Sequence, residues 1–332
     1  MRRLFSFAVA VGLLAAATPA RAEVSEVRFA RQLGLGYLQL YVMEELKLVE
    51  KQGAALGVPL TARYVPLGGP GPINDALLSG SAEYGAAGVP PFIILWDKTR
   101  SNVQVKGVTA LNAQPAFLNS NKPAIKTLAD FTTQDRIALP GVKLSFQAIL
   151  LQMAAEKAFG SGQQFKLDPL TVTLAHPDGA TALLAGRTEV TAHFTSPPFQ
   201  YQELQDPKIH RVLSSYEITE GPASFSALWT TTKFREANPK AYRAVLAAVE
   251  EATKYINENR AEAARIFLKI DHSNLPQDFI EGILADKDII YSTTPSGIGK
   301  FTDFMARIGS IGTQPKSWND LFFPEIHGRA GS

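Results

Sequence analysis

The stretch Asn74-Asp75-Ala76-Leu77-Leu78-Ser79-Gly80-Ser81-Ala82-Glu83-Tyr84-Gly85-Ala86-Ala87-Gly88-Val89-Pro90 decides the fold of this chain. Residues 73–79 read as a short helix that Gly80 closes. Residues 82–87 read as a small, apolar strand. Gly88-Val89-Pro90-Pro91 then forms a loop beyond the strand end, and residues 92–98 turn helical again. The same order recurs upstream. Residues 24–33 alternate as a strand ahead of Gly34-Leu35-Gly36, and residues 37–53 carry Leu38, Tyr41, Val42, Leu46 and Val49 at helical spacing. Residues 60–66 form a second strand before the turn Gly68-Gly69-Pro70-Gly71-Pro72, and residues 103–111 a fourth. Alternation of this kind predicts an α/β fold, a mostly parallel sheet with helices on both faces.

A second unit of the same kind begins near Ala116. A strand at 136–139 leads through Pro140-Gly141-Val142-Lys143-Leu144 to Ser145, an N-cap for a helix over 146–159. Strands follow at 170–175, 188–194 and 209–214, with a helix over 178–185 and the loop Thr195-Ser196-Pro197-Pro198. The chain then returns to the first unit. Asn238 with Pro239 opens a long helix whose buried face is Tyr242, Val245, Leu246, Val249 and Ile256. Asn259 with Glu262 reads as a further cap. The tail over 313–332 is expected to pack on the outside through Trp318, Leu321, Phe322 and Phe323. Two doubly wound lobes result, 23–115 with 221–332 and 116–220. Hinges are expected at 113–117 and 218–222.

The start of the chain carries an address. Met1-Arg2-Arg3 is a positive start, residues 4–17 are apolar, and Ala20-Arg21-Ala22 is a small-x-small cleavage signal. An apolar run of that length falls short of the roughly 20 residues a spanning helix needs. Residues 1–22 are read as a signal peptide cleaved after Ala22, with the product in the periplasm. The whole chain has 33 Lys+Arg against 31 Asp+Glu. Arg2, Arg3 and Arg21 leave with the leader and no acid does, so the mature balance is 30 basic against 31 acidic residues. No bulk field for nucleic acid remains. Cysteine is absent, which excludes a disulfide framework, a thiolate metal site and a cysteine nucleophile.

Enzyme motifs fail one by one. Gly34-Leu35-Gly36 does not continue as a dinucleotide fingerprint, because position 39 is Gln. Gly297-Ile298-Gly299-Lys300 lacks phosphate-loop spacing, and no Gly-x-Ser-x-Gly elbow occurs. His176, His193, His210, His272 and His327 show no ligand spacing and are read as surface or supporting histidines. No metal and no cofactor are expected. What remains is a set of loops at strand ends: 32–37, 68–72, 88–91, 112–114, 140–145 and 195–198. Each alone is an ordinary strand–helix turn. Together, at corresponding places in two lobes, they predict one cleft.

Three segments carry a resemblance: Val27-Arg28-Phe29-Ala30-Arg31-Gln32, the stretch Asn74 to Pro90, and Phe234-Arg235-Glu236-Ala237-Asn238-Pro239 with the helix through Glu251-Ala252. In these the chain resembles the periplasmic substrate-binding proteins of nitrate/sulfonate/taurine-type ABC importers. The resemblance implies a type II periplasmic-binding-protein fold, two α/β lobes joined by a two-crossing hinge. It implies a small-molecule ligand, an inner-membrane ABC permease and its ATPase as partners, a monomer, and no catalysis. Mapped onto this chain, its ligand contacts fall on Gln32, Gly34, Tyr37, Gly69, Gly88, Val89, Pro90, Ser145 and the Thr195-Ser196-Pro197 loop. Asn112 and Phe146, in the same loops, complete the candidate site. The related pyrimidine synthases need a cysteine-rich motif that this chain lacks. A secreted enzyme on the same scaffold and a ligand-sensing receptor subunit stay open as alternatives.

Helix starts and glycine turns favour an anionic head group, with Arg31 and Lys143 as added charge; an apolar wall with few charges suits an organic carboxylate, an aliphatic or aromatic sulfonate, or a neutral heteroaromatic better than bare nitrate. Tyr37, Phe146, Phe117 and Trp229 are candidates for an apolar wall, at least two of them serving instead as core.

Overall fold

The computed structural model describes residues 22–332. The expected leader lies outside these residues except for Ala22. Among the described residues, eleven strands form two sheets. The chain runs β1 (Glu26–Arg31), β2 (Thr61–Pro66), β3 (Tyr84–Gly88), β4 (Val105–Ala113), β5 (Phe117–Ser120), β6 (Arg136–Leu139), β7 (Thr171–Thr173), β8 (Val190–Thr195), β9 (His210–Ser214), β10 (Ser224–Thr231) and β11 (Ile290–Tyr291). The first sheet has the order β11-β4-β10-β3-β1-β2, the second β7-β6-β8-β5-β9.

β1 is parallel to β2 and β3, and β6 is parallel to β7 and β8. Helices fill the crossovers, as parallel pairing requires. β10 lies antiparallel between β3 and β4, and β5 antiparallel between β8 and β9. Each of these two strands is the one the chain enters on crossing from the other sheet. The crossings are held to each other. Ala116 N–H donates to Ser215 Oγ at 2.9 Å, and Ser215 N–H donates to the Ala116 carbonyl at 2.8 Å. The Gln200 side chain accepts from Phe117 N–H and donates to the Pro115 carbonyl, both at 3.0 Å.

Four sequence expectations meet a different local solution. The helix expected over 37–53 is two helices, Leu38–Glu45 and Leu48–Ala55, broken at Lys47 with φ 51°. Leu38, Tyr41, Val42 and Val49 of the expected stripe are buried, and Leu48 joins them after the break, but Leu46, at the break, is exposed. Val89-Pro90-Pro91 is the first turn of the helix Val89–Thr99, not a loop. Proline suits that turn because its missing N–H has no partner there anyway. Asn238 does not cap the helix Pro239–Glu258 with its side chain. The Glu23 carboxylate does so, accepting from Lys240 and Ala241 N–H at 3.1 and 2.8 Å. Asn259 makes no cap bond either, and Glu262 pairs with Arg265.

The tail is part of the core rather than a cover. Gly107 N–H donates to the Leu321 carbonyl at 2.8 Å and Phe323 N–H to the Gly107 carbonyl at 2.9 Å, so 321–323 extends the sheet beside β4. Phe322 is fully buried, its ring 5.4 Å from Phe92 and 5.9 Å from Trp318. The lack of a side chain at Gly107 makes room for that ring. Phe322→Ala should therefore cost roughly 3–5 kcal/mol of stability, the range for a buried aromatic, measured by urea unfolding. A loss below about 1 kcal/mol, as expected of a loosely applied tail, would contradict this packing. Among the described residues, no helix is long and apolar enough to cross a membrane.

Candidate functional site

Four helices start where the two sheets face each other: Pro70–Leu78 and Val89–Thr99 after β2 and β3, and Phe146–Phe159 and His176–Ala185 after β6 and β7. Their starts meet across the gap. A Cβ on Gly69 would run into the Pro140 carbonyl oxygen, and one on Gly68 would stand 3.3 Å from Ala175 Cβ. One on Gly88 would stand 2.7 Å from Phe146 Cβ. Gly34, with φ 103°, brings the loop after β1 against the Pro197 carbonyl, and Leu35 N–H donates to that oxygen at 3.0 Å. The Pro197–Pro198 peptide is cis. The two faces thus touch backbone to backbone, and glycine is what lets them.

The positive ends of these helices point into the interface. Only Phe146–Phe159 offers a full set of donors, since Pro70, Pro90, Pro91 and Pro177 remove N–H groups from the other starts. Ser145 caps that helix by accepting from Ala148 N–H at 3.2 Å. Its oxygen is therefore engaged with the helix, and Ser145→Ala would also cost cap stability.

Of the sequence candidates, Gln32, Gly34, Tyr37, Gly69, Gly88, Val89, Pro90, Asn112, Ser145, Phe146, Thr195, Ser196 and Pro197 are all buried on or beside this interface. Their polar groups are partly engaged. Tyr37 OH donates to Gln32 Oε1 at 3.0 Å, leaving Gln32 Nε2 without a partner. Asn112 Nδ2 donates to the Gly36 carbonyl and Ser226 Oγ at 2.6 and 3.0 Å, leaving its Oδ1 without one. Phe146 packs edge-on against Phe225 at 4.8 Å, and Tyr37 lies 6.4 Å from the same ring. Trp229 instead stacks on Phe92 inside the first lobe, and Phe117 packs on Tyr201 in the crossing.

Of the two expected cations, Arg31 does not serve this interface. Its guanidinium lies 3.7 Å over the Tyr41 ring, inside the lobe, and faces Glu44 at 3.8 Å. Lys143 is exposed, in the loop ahead of Ser145.

Of the two readings open for the histidines, His176 and His193 take the supporting one: both are buried. His176 Nδ1 shares a hydrogen bond with Thr195 Oγ1 at 2.7 Å, and its Nε2 lies 3.4 Å from Ser196 Oγ. His193 Nδ1 meets Glu203 Oε1 at 2.5 Å, and Asn119 Nδ2 donates to the other Glu203 oxygen at 2.8 Å. No spacing in the sequence signals this network, because its members come from β5, β8 and two helices. Phe225, Gln114 and Gln147, buried at or beside the same interface, were not named from sequence for the same reason, although 112–114 is singled out as a loop.

Comparison with known proteins adds the decisive likeness. No family model matches the chain, and no curated protein matches it by sequence. Solved structures do match. The alkanesulfonate-binding protein SsuA of Xanthomonas axonopodis pv. citri, bound to MOPS, superposes with a TM-score of 0.70 at 17% identity, covering 88% of this chain and 96% of that one. The fold is that of the periplasmic binding proteins. The aliphatic sulphonate binding protein SsuA of Escherichia coli (TM-score 0.64, 18% identity, 91% and 92% covered) repeats it. So does the nitrate-binding protein NrtA of Synechocystis PCC 6803 (0.68, 16%, 90% and 84%).

In a periplasmic-binding fold the buried His176 gives a testable signature. Burial first, and the neighbouring His193 second, hold it well below the ordinary histidine value of 6.5. The unfolded chain therefore takes up this proton before the folded one. Stability from the neutral ring is complete above pH 6.5 and is lost as pH falls below it. The melting temperature of His176→Gln should fall less between pH 7 and pH 5 than that of the unaltered chain. Identical slopes would contradict a neutral buried His176.

Proposed function

We propose that this chain is the periplasmic substrate-binding component of an ABC importer. It is exported by the leader 1–22 with cleavage after Ala22, works as a monomer, holds one small organic molecule between its lobes, and delivers it to a membrane permease and its ATPase. One observation carries the reading. The facing surfaces have glycine at the points where a side chain would keep them apart, Gly34 against Pro197 and Gly69 against Pro140. A surface made to close, and joined by two short crossings, is a trap rather than a fixed interface.

Ligand bridges the two faces and so favours the closed arrangement, in proportion to its extra contacts there. The lobes also touch without ligand, through the Leu35 bond to Pro197, the Tyr216 hydroxyl on the Asp288 carbonyl at 3.0 Å and the exposed Arg307–Glu156 pair, each worth about 1 kcal/mol or less, and the ligand's contacts add to these. Gln32, Tyr37, Asn112, Phe146, Thr195 and Ser196 are the residues assigned to hold it, with Gly34, Gly69, Gly88, Val89, Pro90, Ser145 and Pro197 shaping the wall. The chain performs no covalent step in this scheme. The anionic head group expected from sequence loses the support of Arg31, which faces into its own lobe.

Gly69→Ala tests the trap directly. Gly69 has φ −168°, which any residue adopts, so each lobe folds unaltered while the new methyl meets Pro140. In a thermal-shift assay with a small-molecule extract of the periplasm, the unaltered chain should be stabilised, by about 2.7 kcal/mol at a hundredfold excess over Kd. Gly69→Ala should keep its own melting temperature within a degree or two and lose most of that stabilisation. Equal stabilisation of both proteins, or chemical conversion of the bound molecule, would refute the proposal.

A further inference from the structure

The hinge end of the interface holds a buried amide with nothing to bond. Gln114, in the first crossing, is fully buried, and both Nε2 and Oε1 lack a partner. Because both atoms are free, the result is the same whichever way the amide is turned. Buried polar atoms are almost always paired, and an orphaned one needs an explanation. Gln114 is not isolated. Its Nε2 lies against Gly36, and the Phe225 ring covers the same glycine. The Gly36 carbonyl accepts from Asn112 Nδ2, whose own Oδ1 is free. Gln32 Nε2 on the first lobe and Gln147 Nε2 on the second, each at most 4% exposed, are free as well.

This set has a definite chemistry. Nitrate, sulfonates and carboxylates offer acceptors only. They would pair with the free amide nitrogens and leave Gln114 Oε1 and Asn112 Oδ1 stranded, at a cost of about tenfold or more in affinity. Arg31, the buried cation at the end of β1, is turned into the lobe against Tyr41 and Glu44. A ligand that satisfies the set must donate and accept. The Phe146, Phe225 and Tyr37 rings gathered beside it favour a flat partner. We infer that the cleft takes an uncharged planar ring bearing N–H and C=O side by side, a cyclic amide, and that Gln114 reads that edge as the specificity-determining residue. This inference rests on the substrate-binding reading above.

Calorimetric titration at pH 7 tests it, with uracil and 2-pyridone as cyclic amides and methanesulfonate and nitrate as anions. At least one cyclic amide should bind and neither anion should. Gln114→Leu should weaken the cyclic amide at least about tenfold while the melting temperature of the free protein holds or rises, because an orphaned polar group has been removed. Gln114→Glu, of the same shape, keeps an acceptor and loses the donor, and should weaken it too. Absence of binding by both cyclic amides overturns the inference, as does anion binding unaltered in Gln114→Leu. Mass spectrometry of the small molecule released by denaturing protein purified from the periplasm separates the two levels. A released sulfonate or carboxylate overturns the cyclic-amide class and leaves the substrate-binding reading intact. Release of nothing, with no binding of any probe, overturns both.

Discussion

The reciprocal bond pair between Ala116 and Ser215 is the constraint on which the rest depends. It ties the outgoing and returning crossings to each other at the point where both sheets accept a strand from the opposite lobe. Gln200 reinforces it from the second lobe by holding Pro115 and Phe117. β5 and β10 are each locked on both sides by antiparallel neighbours. Such strands cannot slide without breaking a whole ladder, since register errors flip every side chain. Motion is left to the few residues between them. On the proposed reading the lobes move as bodies about these crossings, and the interface between them is the surface that opens.

The character of that interface follows from what it lacks. Its glycines remove side chains at the closest approaches, and prolines remove donors from three of its four helix starts. Its buried arginine is turned away, neutralised by Glu44 within its own lobe. What faces the gap is a ring of amides, hydroxyls and aromatic edges. Several of the amides have an atom without a partner, and in a low-dielectric interior such atoms weigh heavily. A surface of this kind gains little by closing on itself and more by closing on a molecule that completes its hydrogen bonds. Beneath it, His176 links Thr195 to Ser196, and His193 with Glu203 and Asn119 fixes β8 against β5. The lobe floor beneath the interface is thereby held.

The fold was legible because its signals are local. Small residues over 82–88, turn glycines and 3–4 apolar spacing need no partner to be recognised, and they placed the strands and most helices. The break at Lys47 was hidden because the apolar stripe continues across it. The cap on Pro239–Glu258 was hidden because Glu23 reaches it from the other end of the sequence. The site was legible as loops and not as chemistry. Strand ends named loops that do meet at the interlobe interface, from Gln32 to Pro197. Whether Arg31 points into the gap or into the lobe depends on which way one side chain turns at the end of β1, and no periodicity encodes that. Gln114 and Phe225 gain their meaning only when the two crossings lie side by side.

The absence of cysteine allows the central claim to be measured without background. Val65→Cys on the first lobe and Lys143→Cys on the second are both exposed positions near the closing faces. Spin labels there report the distance between lobes by pulsed electron resonance. Two distance populations are expected in the free protein, with the shorter one gaining at the expense of the longer when the periplasmic small-molecule fraction is added. A single population that the fraction leaves unmoved would contradict it.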